Sequence, residues 1–450
     1  MLIRSISGVR GIVKTSLTAE VVIRYARAFH LSLPEGVIIV GRDSRQSGQK
    51  IIGDMIDELT RLGRNIIDCG IVPTPTVQFM VHKTEAVGGF IITASHNPIE
   101  WNGIKFLKED STFFSKTECE ILFEEFDKHN KLPNADEAGM VWIEKNAIQK
   151  HVISCASLKC IDLNRIQRRH FKIVIDAVNG GGAIALPTIL DSLGCEVIEL
   201  NCEPNGHFTR GTEPLPENLD DLKTAVLDHK ADAGFAVDPD ADRLAIINEK
   251  GEALGEEYTI VLAAEGYIKE TNCRETFVTN LSTSYALDKL SEKHGCNVIR
   301  SAVGEINVVN KMKELDLTLG GEGNGGVILK DAHLGRDSLV AVTMVLNRMS
   351  QDDNILSKIH KNLPQFKIVK DKINLDKMDY EQMVNKLKTI FKNAILDQED
   401  GLKFLWEDQW LHLRKSNTEP IIRIYAEAPK QEQAQEIISR VHNAIEKDIE

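Results

Sequence analysis

The sequence predicts an α/β fold: three similar α/β domains with mixed or parallel sheets, followed by a smaller C-terminal α+β domain. Three observations carry that prediction. Short apolar runs alternate with stretches of 3.6-residue periodicity, the pattern of strands joined by helical crossovers. The alternation recurs three times at a spacing of about 100 residues, a usual domain length. From about Lys367 the texture changes, and strands and helices no longer alternate as crossover units.

The first unit opens with a strand at Val37 to Val40 and a helix that places Ile51, Ile52, Met55, Ile56 and Leu59 on one face. It continues through a strand at Ile66-Ile67 and another from Gly88 to Thr93. The second begins with Lys172-Ile173-Val174-Ile175, passes through a helix from Ala185 to Leu193, and reaches a strand at Ala233 to Val237. In the third, Phe277-Val278 leads into a helix with Tyr285, Leu287 and Leu290, then Val298-Ile299, then a helix with Val308, Val309 and Met312. The last part reads as a helix from Met383 to Phe391, strands at Leu402 to Leu405 and Ile421 to Tyr425, and a terminal helix from Gln431. These readings put the domains at residues 1–152, 153–255, 256–366 and 367–450, with no low-complexity linker between them.

A chain of 450 residues with 42% hydrophobic and 27% charged residues has the balance of a globular protein with several cores, and is too long for a small binding module. Lys and Arg number 54 against 67 Asp and Glu, a formal charge of −13. That balance disfavours nucleic acid and acidic membranes as partners. An anionic ligand would need local positive charge from a few placed Arg and Lys residues. Eight cysteines lie scattered without a C-x-x-C pair, so neither a zinc site nor a disulfide framework is signalled. No run approaches 18 uncharged apolar residues, and no leader is evident. The expectation is a cytoplasmic protein.

Four constellations carry chemistry. The first is Thr93-Ala94-Ser95-His96-Asn97-Pro98 after the apolar strand, followed by Asn102-Gly103 and Lys105. Small polar residues at a strand's C-terminal end sit where open α/β sheets place ligands. Ser95 is a candidate nucleophile with His96 and Lys105 beside it, although an Asx-type turn explains the same residues. The second is Asp238-Pro239-Asp240-Ala241-Asp242-Arg243 between apolar strands. Three carboxylates at every second position suit one hard cation such as Mg²⁺ or Ca²⁺. An EF-hand loop is excluded, because Arg243 stands where its sharp turn needs Gly and both flanks read as strands. These carboxylates are expected to stand clear of the strand packing, so that Asp240→Asn leaves stability nearly unchanged.

The third constellation, Gly320-Gly321-Glu322-Gly323-Asn324-Gly325-Gly326, lets backbone approach a ligand closely and offers Glu322 and Asn324 to hydroxyls; it is neither a P-loop nor a dinucleotide fingerprint, and a mobile surface loop reads equally well. The fourth, Arg414-Lys415-Ser416-Asn417-Thr418-Glu419-Pro420 closed by Arg423, supplies the charge, forked donors and short hydroxyls that a phosphate needs. A basic hairpin turn is its plain alternative.

Together the four loops describe phosphoryl transfer on a polar small molecule, and in their order they resemble the α-D-phosphohexomutases. Ser7-Gly8-Val9-Arg10-Gly11, Gly41-Arg42-Asp43-Ser44-Arg45, Pro73-Thr74-Pro75-Thr76 and Glu213-Pro214-Leu215-Pro216 extend the resemblance over almost the whole chain. It implies four domains around one central cleft, with one loop from each. It implies that Ser95 carries the phosphoryl group and that Asp238, Asp240 and Asp242 hold Mg²⁺ with an oxygen of phosphorylated Ser95. Arg243, Lys105, His96 and Arg10 match family residues beside the reacting phosphate. Glu322 and Asn324 match contacts to sugar hydroxyls, and Arg414, Ser416, Asn417, Thr418 and Arg423 lie where the family holds the other phosphate.

The implied activity interconverts hexose 6-phosphate and hexose 1-phosphate, with a hexose 1,6-bisphosphate as activator and intermediate. The protein is then a monomer or homodimer whose partner is a small sugar phosphate. Many relatives have Ser and His where this chain has Asn324 and Gly326, and some have His at Glu305. The Gly-Glu-Gly-Asn-Gly-Gly form resembles archaeal-type phosphoglucosamine mutases, which points to glucosamine phosphate, with glucose and mannose phosphates as alternatives. A Mg²⁺-dependent sugar phosphatase and a non-catalytic sugar-phosphate binder are further alternatives. The first has no use for a four-domain clamp, and the second no need of three metal-ligating aspartates.

Overall fold

The structure, a computed structural model, describes residues 2–129, 131–374, 380–415 and 421–446. One four-stranded unit is repeated three times. In the first domain, strands Ile38–Arg42, Ile66–Ile71 and Gly88–Ile92 run parallel, and Trp101–Lys108 folds back antiparallel on Gly88–Ile92. The second domain repeats this with Lys172–Asp176, Glu196–Leu200, Ala233–Val237 and the returning Leu244–Asn248. The third does so with Thr276–Asn280, Asn297–Ser301, Leu319–Glu322 and the returning Gly326–Leu329. In every case the spatial order is fourth, third, first, second strand. The first domain extends the pattern with the hairpin Ile3–Ser5 and Gly8–Ile12 on one edge and Val141–Ile143 on the other.

Parallel strands need crossovers, and the sequence supplies them as helices with one apolar face. Gly48–Arg61 buries Ile51, Ile52, Met55 and Leu59 on its sheet side. Lys116–Asp127 begins with a full capping box, in which Ser115 accepts from the Glu118 amide and Glu118 returns the bond. Two of the longer helices depart from this pattern. Almost all of Tyr258–Thr271 and the whole of Ser338–Ser350 are buried, and they sit inside one continuous apolar cluster shared by the second and third domains. The last domain is a five-stranded antiparallel sheet, in the order Lys367–Asn374, Ile421–Ala428, Trp410–Lys415, Leu402–Leu405, Ile395–Asp397, with its own core. Among the described residues no helix is long and apolar enough to cross a membrane, and all eight cysteines are free thiols.

A buried polar knot ties the first domain to the third. His151 Nε2 and His333 Nε2 both lie against Asp337 Oδ2, at 2.8 and 3.1 Å, while Thr76 Oγ1 is 3.0 Å from His151 Nδ1. The other oxygen of Asp337 accepts from the amides of Leu339 and Val340 and so caps Ser338–Ser350. The three side chains could ligate a metal by proximity; as they stand, two ring nitrogens meet one capped carboxylate, and His333 Nδ1 is buried without a hydrogen-bond partner. Burial pushes His333 down and would push Asp337 up; the two imidazoles instead hold Asp337 well below the usual carboxylate range.

Stability from this knot is fully present above the ordinary histidine pKa. It declines as pH falls below about 6.5, where an unfolded His333 would take a proton, and further through the carboxylate range as Asp337 titrates. Asp337→Ala strands two buried ring donors and uncaps a buried helix, a loss of about 3 kcal/mol or more. The expected result is a thermal midpoint several degrees lower at pH 7.5, with the difference retained at pH 4, because Asp337 is held ionised well below the usual carboxylate range.

Candidate active site

Each chemistry-bearing loop of the first three domains is the same loop of the repeated unit, the connection from the third strand to the antiparallel fourth. Residues 93–100 join Gly88–Ile92 to Trp101–Lys108, residues 238–243 join Ala233–Val237 to Leu244–Asn248, and residues 323–325 join Leu319–Glu322 to Gly326–Leu329. These connections leave the C-terminal ends of parallel strands, where an open α/β sheet presents its ligand-binding edge.

The serine loop is held from beneath by a residue pair that sequence reasoning met only as part of a motif. The fully buried Arg45 donates to the carbonyls of Ser95, Asn97 and Pro98 at 2.7, 2.7 and 2.8 Å. Its Nε is paired with Asp43, whose carboxylate also accepts from Thr93 Oγ1 at 2.7 Å. Thr93 Oγ1 accepts in turn from the Ser95 amide. This clamp fixes Ser95 at φ 50°, a left-handed conformation that a serine holds only when its surroundings impose it. Its hydroxyl is thereby aimed at the second domain, with Oγ 3.3 Å from Asp238 Oδ2 and 3.5 Å from His96 Nδ1.

The aspartates do not stand clear of the packing as expected from the sequence. Asp238 and Asp240 are 0% exposed and Asp242 is 1% exposed, with ligand-capable oxygens within 4.8 Å of one another. The loop is pressed between its neighbours. Thr74 of the first domain donates through N and Oγ1 to Asp240, Ser338 of the third donates to the Ala241 carbonyl, and the Leu244 amide donates to Gly325 O. Lys105 Nζ lies 2.7 Å from Asp240 Oδ2 and 3.7 Å from Asp242 Oδ2. Asp240→Asn would strand this buried ammonium, so the expectation of unchanged stability is corrected.

Burial, then Asp242 and Asp240, push the Asp238 carboxyl well up. Against the same burial, Lys105 and Thr74 hold Asp240 well below the usual range. The oxygens Asp240 Oδ1 and Asp242 Oδ1 are buried without a hydrogen-bond partner. An all-oxygen triad with orphaned acceptors and one carboxyl driven toward neutrality fits a divalent cation such as Mg²⁺.

Cations ring the triad. Arg243 Nε lies 3.6 Å from Asp242 and 3.9 Å from Asp238, and its Nη1 is 3.3 Å from Glu213. Arg10, from the edge hairpin, donates to Asn97 Oδ1 at 2.9 Å. His96 lies 3.8 Å from Glu213, but burial followed by Arg243 and Arg10 pushes its ring down to about 2, so it is a neutral imidazole and no ion pair forms. The glycine loop is a tight buried hairpin. Glu322 is 2% exposed and accepts from Asn280, Gly304 N, Arg336 and Asn324, while Asn324 is half-buried beside it. Glu305 is pushed up to about 7 by burial, opposed by Arg336.

In the last domain, Arg414 and Arg423 stand directly opposite each other on adjacent antiparallel strands, and Arg414 Nε is 2.9 Å from Asp400. Ser416, Asn417 and Thr418 lie outside the described residues. Arg336, Arg45, Asp43 and Thr74 had no signal of their own in the sequence beyond the two short motifs that contain the last three.

Four family models match the chain in order: phosphoglucomutase/phosphomannomutase alpha/beta/alpha domain I over residues 2–132, domain II over 149–251, domain III over 255–366, and the C-terminal domain over 369–444. A phosphoglucomutase/phosphomannomutase of Thermococcus kodakarensis is 36% identical, over 96% of this chain and 95% of that protein. A phosphoglucosamine mutase of Clostridioides difficile is 30% identical over 98% of both chains. The crystal structure of a phosphoglucomutase/phosphomannomutase family protein from Burkholderia thailandensis superposes with a TM-score of 0.85 at 24% identity, covering 98% of this chain and 97% of that one, a likeness of fold. With its repeated units, its four loops in order and matches over nearly its full length, the chain belongs to the phosphoglucomutase/phosphomannomutase family of phosphohexomutases, isomerases that act by phosphate transfer.

Proposed function

We propose that the chain converts glucosamine 6-phosphate to glucosamine 1-phosphate by way of a phosphorylated Ser95 and a bisphosphorylated sugar. The observation that carries this reading is Ser95 Oγ held 3.3 Å from a buried aspartate triad that is itself ringed by Lys105, Arg243 and Arg10. Phosphorylated Ser95 gives its phosphoryl group to the free hydroxyl of the sugar phosphate. The bisphosphate turns over, and its other phosphoryl group returns to Ser95. Asp238, Asp240 and Asp242, with a phosphate oxygen on Ser95, would hold Mg²⁺, which supplies positive charge to the transferring oxygens.

The chain's own groups do the rest. Lys105, Arg243 and Arg10 place fixed positive charge beside the phosphoryl group, where low dielectric makes it most effective. His96 is a neutral ring and serves as a hydrogen-bonding neighbour of Ser95, while Glu305, poised near neutral pH, suits the exchange of a proton. Glu322 and Asn324 present the sugar-facing hairpin. Arg414 and Arg423, directly opposite on adjacent strands, bring two guanidiniums together next in sequence to the 416–418 segment, which supports these residues as the holder of the non-reacting phosphate.

The name of the Thermococcus kodakarensis relative makes glucose and mannose phosphates the alternative substrates. With Mg²⁺ and a trace of hexose 1,6-bisphosphate, the glucosamine phosphate rate should exceed the glucose and mannose phosphate rates in kcat/KM. The reverse order would reassign the substrate. Ser95→Ala should retain below about 1% of activity, and phosphopeptide mapping of active enzyme should find the phosphate at residue 95.

Asp238→Asn tests the metal. Because Asp238 is pushed up, the metal-free protein loses stability as pH rises above about 4, where an unfolded aspartate would already be ionised. The Asn variant removes this penalty and should melt roughly 2 °C or more higher at pH 7.5 in chelator. It should also lose the stabilisation that Mg²⁺ gives the wild type. Arg414→Ala should mainly raise KM, by about tenfold or more, since a charge-assisted contact made alike in ground and transition states has been removed.

A further inference from the structure

Arg336 is absorbed by no motif, yet it lies among three buried or nearly buried carboxylates, those of Asp242, Glu322 and Glu305. Its Nη2 donates to Asp242 Oδ2 at 2.6 Å and its Nη1 to Glu322 Oε2 at 2.8 Å, while Nε is 3.2 Å from Glu305 Oε2. Its own amide donates to the other oxygen of Glu305 at 3.1 Å. One planar fork thus reaches the metal-suited loop of the second domain, the hairpin of the third, and the start of helix Glu305–Glu314. The stem that delivers it passes over Gly326, where an added Cβ would stand 2.3 Å from Arg336 Cδ and 2.9 Å from its Cγ. A side chain at position 326 and this path for Arg336 exclude each other.

We infer that Arg336 is a positioning residue that sets Asp242 for the divalent cation and Glu322 for the sugar at once, in the space that Gly326 leaves open. The inference rests on the function proposed above. A guanidinium suits the task because two N–H edges with fixed mutual geometry orient two carboxylates together, whereas an ammonium offers the same charge from one rotating point. Arg336→Lys therefore holds the charge and removes the geometry.

Three binding measurements, made apart from turnover, read the role: Mg²⁺ titrated into sugar-free protein, glucosamine 6-phosphate titrated into chelator-treated protein, and the thermal midpoint of each variant. Arg336→Lys should weaken both affinities several-fold, lower kcat and raise KM, and keep its midpoint within a few degrees of wild type. Gly326→Ala, which displaces the stem and leaves the charge, should shift the same two affinities in the same direction; it decides the matter if Arg336→Lys fails to fold. Arg336→Gln combined with Glu322→Gln should give a sugar affinity no weaker than about that of the poorer single variant, as expected for residues acting as one unit. Wild-type affinities for both ligands in Arg336→Lys and Gly326→Ala, or losses that multiply in the double variant, would overturn the inference while wild-type mutase activity leaves the proposed function standing. A wild-type protein without mutase activity would instead remove the proposed function.

Discussion

Burying several carboxylates side by side is the constraint around which this molecule is built. Asp238, Asp240, Asp242, Glu322 and Glu305 lie together with almost no solvent, and desolvated like charges repel strongly unless cations stand between them. The chain meets this by drawing cations from all three domains: Lys105 and Arg10 from the first, Arg243 from the metal-suited loop of the second, and Arg336 from the third. No single domain could bury its share alone. Domain assembly and assembly of the reaction site are thus one event, and the balance is left incomplete at Asp238, the place where a divalent cation has most to offer.

Repetition explains how loops so far apart in sequence meet. A unit in which the fourth strand returns antiparallel on the third must turn tightly at the C-terminal edge of its parallel strands. Three copies packed together present three such turns. Two of them hold a non-glycine residue in the left-handed region, Ser95 at φ 50° and Ala241 at φ 52°, so the bend is tighter than an unstrained chain would make. In the third, Gly325 at φ 87° takes the corresponding strain without cost to a side chain. The shared core of the second and third domains fixes two of these turns relative to each other, and the knot of His151, His333 and Asp337 ties the first domain to that pair.

What the sequence makes legible is local: the apolar strands, the one-faced helices, and loops whose residue types name their chemistry. The three crossover units and the residues of the aspartate loop follow from such patterns. What escapes is whatever depends on a partner distant in the chain. The aspartates read as clear of the packing because acidic residues on a loop ordinarily are, and nothing near them announces Lys105, 135 residues away. Helix Ser338–Ser350 is buried all round and so lacks the one-sided periodicity that would mark it. Arg45 and Arg336 look like ordinary surface arginines until the fold surrounds them. The glycine-rich run reads equally as a mobile loop, because only its setting shows that Gly321 and Gly326 are strand residues with backbone or an arginine stem where a Cβ would go.

The last domain stands on different terms. Its apolar core is its own, and it meets the third domain through polar groups: Lys403 on the Leu281 carbonyl, Ser282 beside His412, the Tyr285 amide on Glu427, and the Val303 amide on Asp400. Polar contacts can be exchanged for water at little net loss, whereas a continuous core cannot be opened without exposing apolar surface. The first three domains must stay together because their charges are mutually dependent, and the domain bearing Arg414 is under no such obligation. Asp400 joins the two regimes, since its carboxylate holds both the Arg414 guanidinium and the amide two residues before Glu305. An anion that draws Arg414 toward itself competes with Asp400, the carboxylate whose other oxygen accepts from the third domain. The group proposed to hold a phosphate therefore shares its carboxylate partner with a contact that docks the last domain.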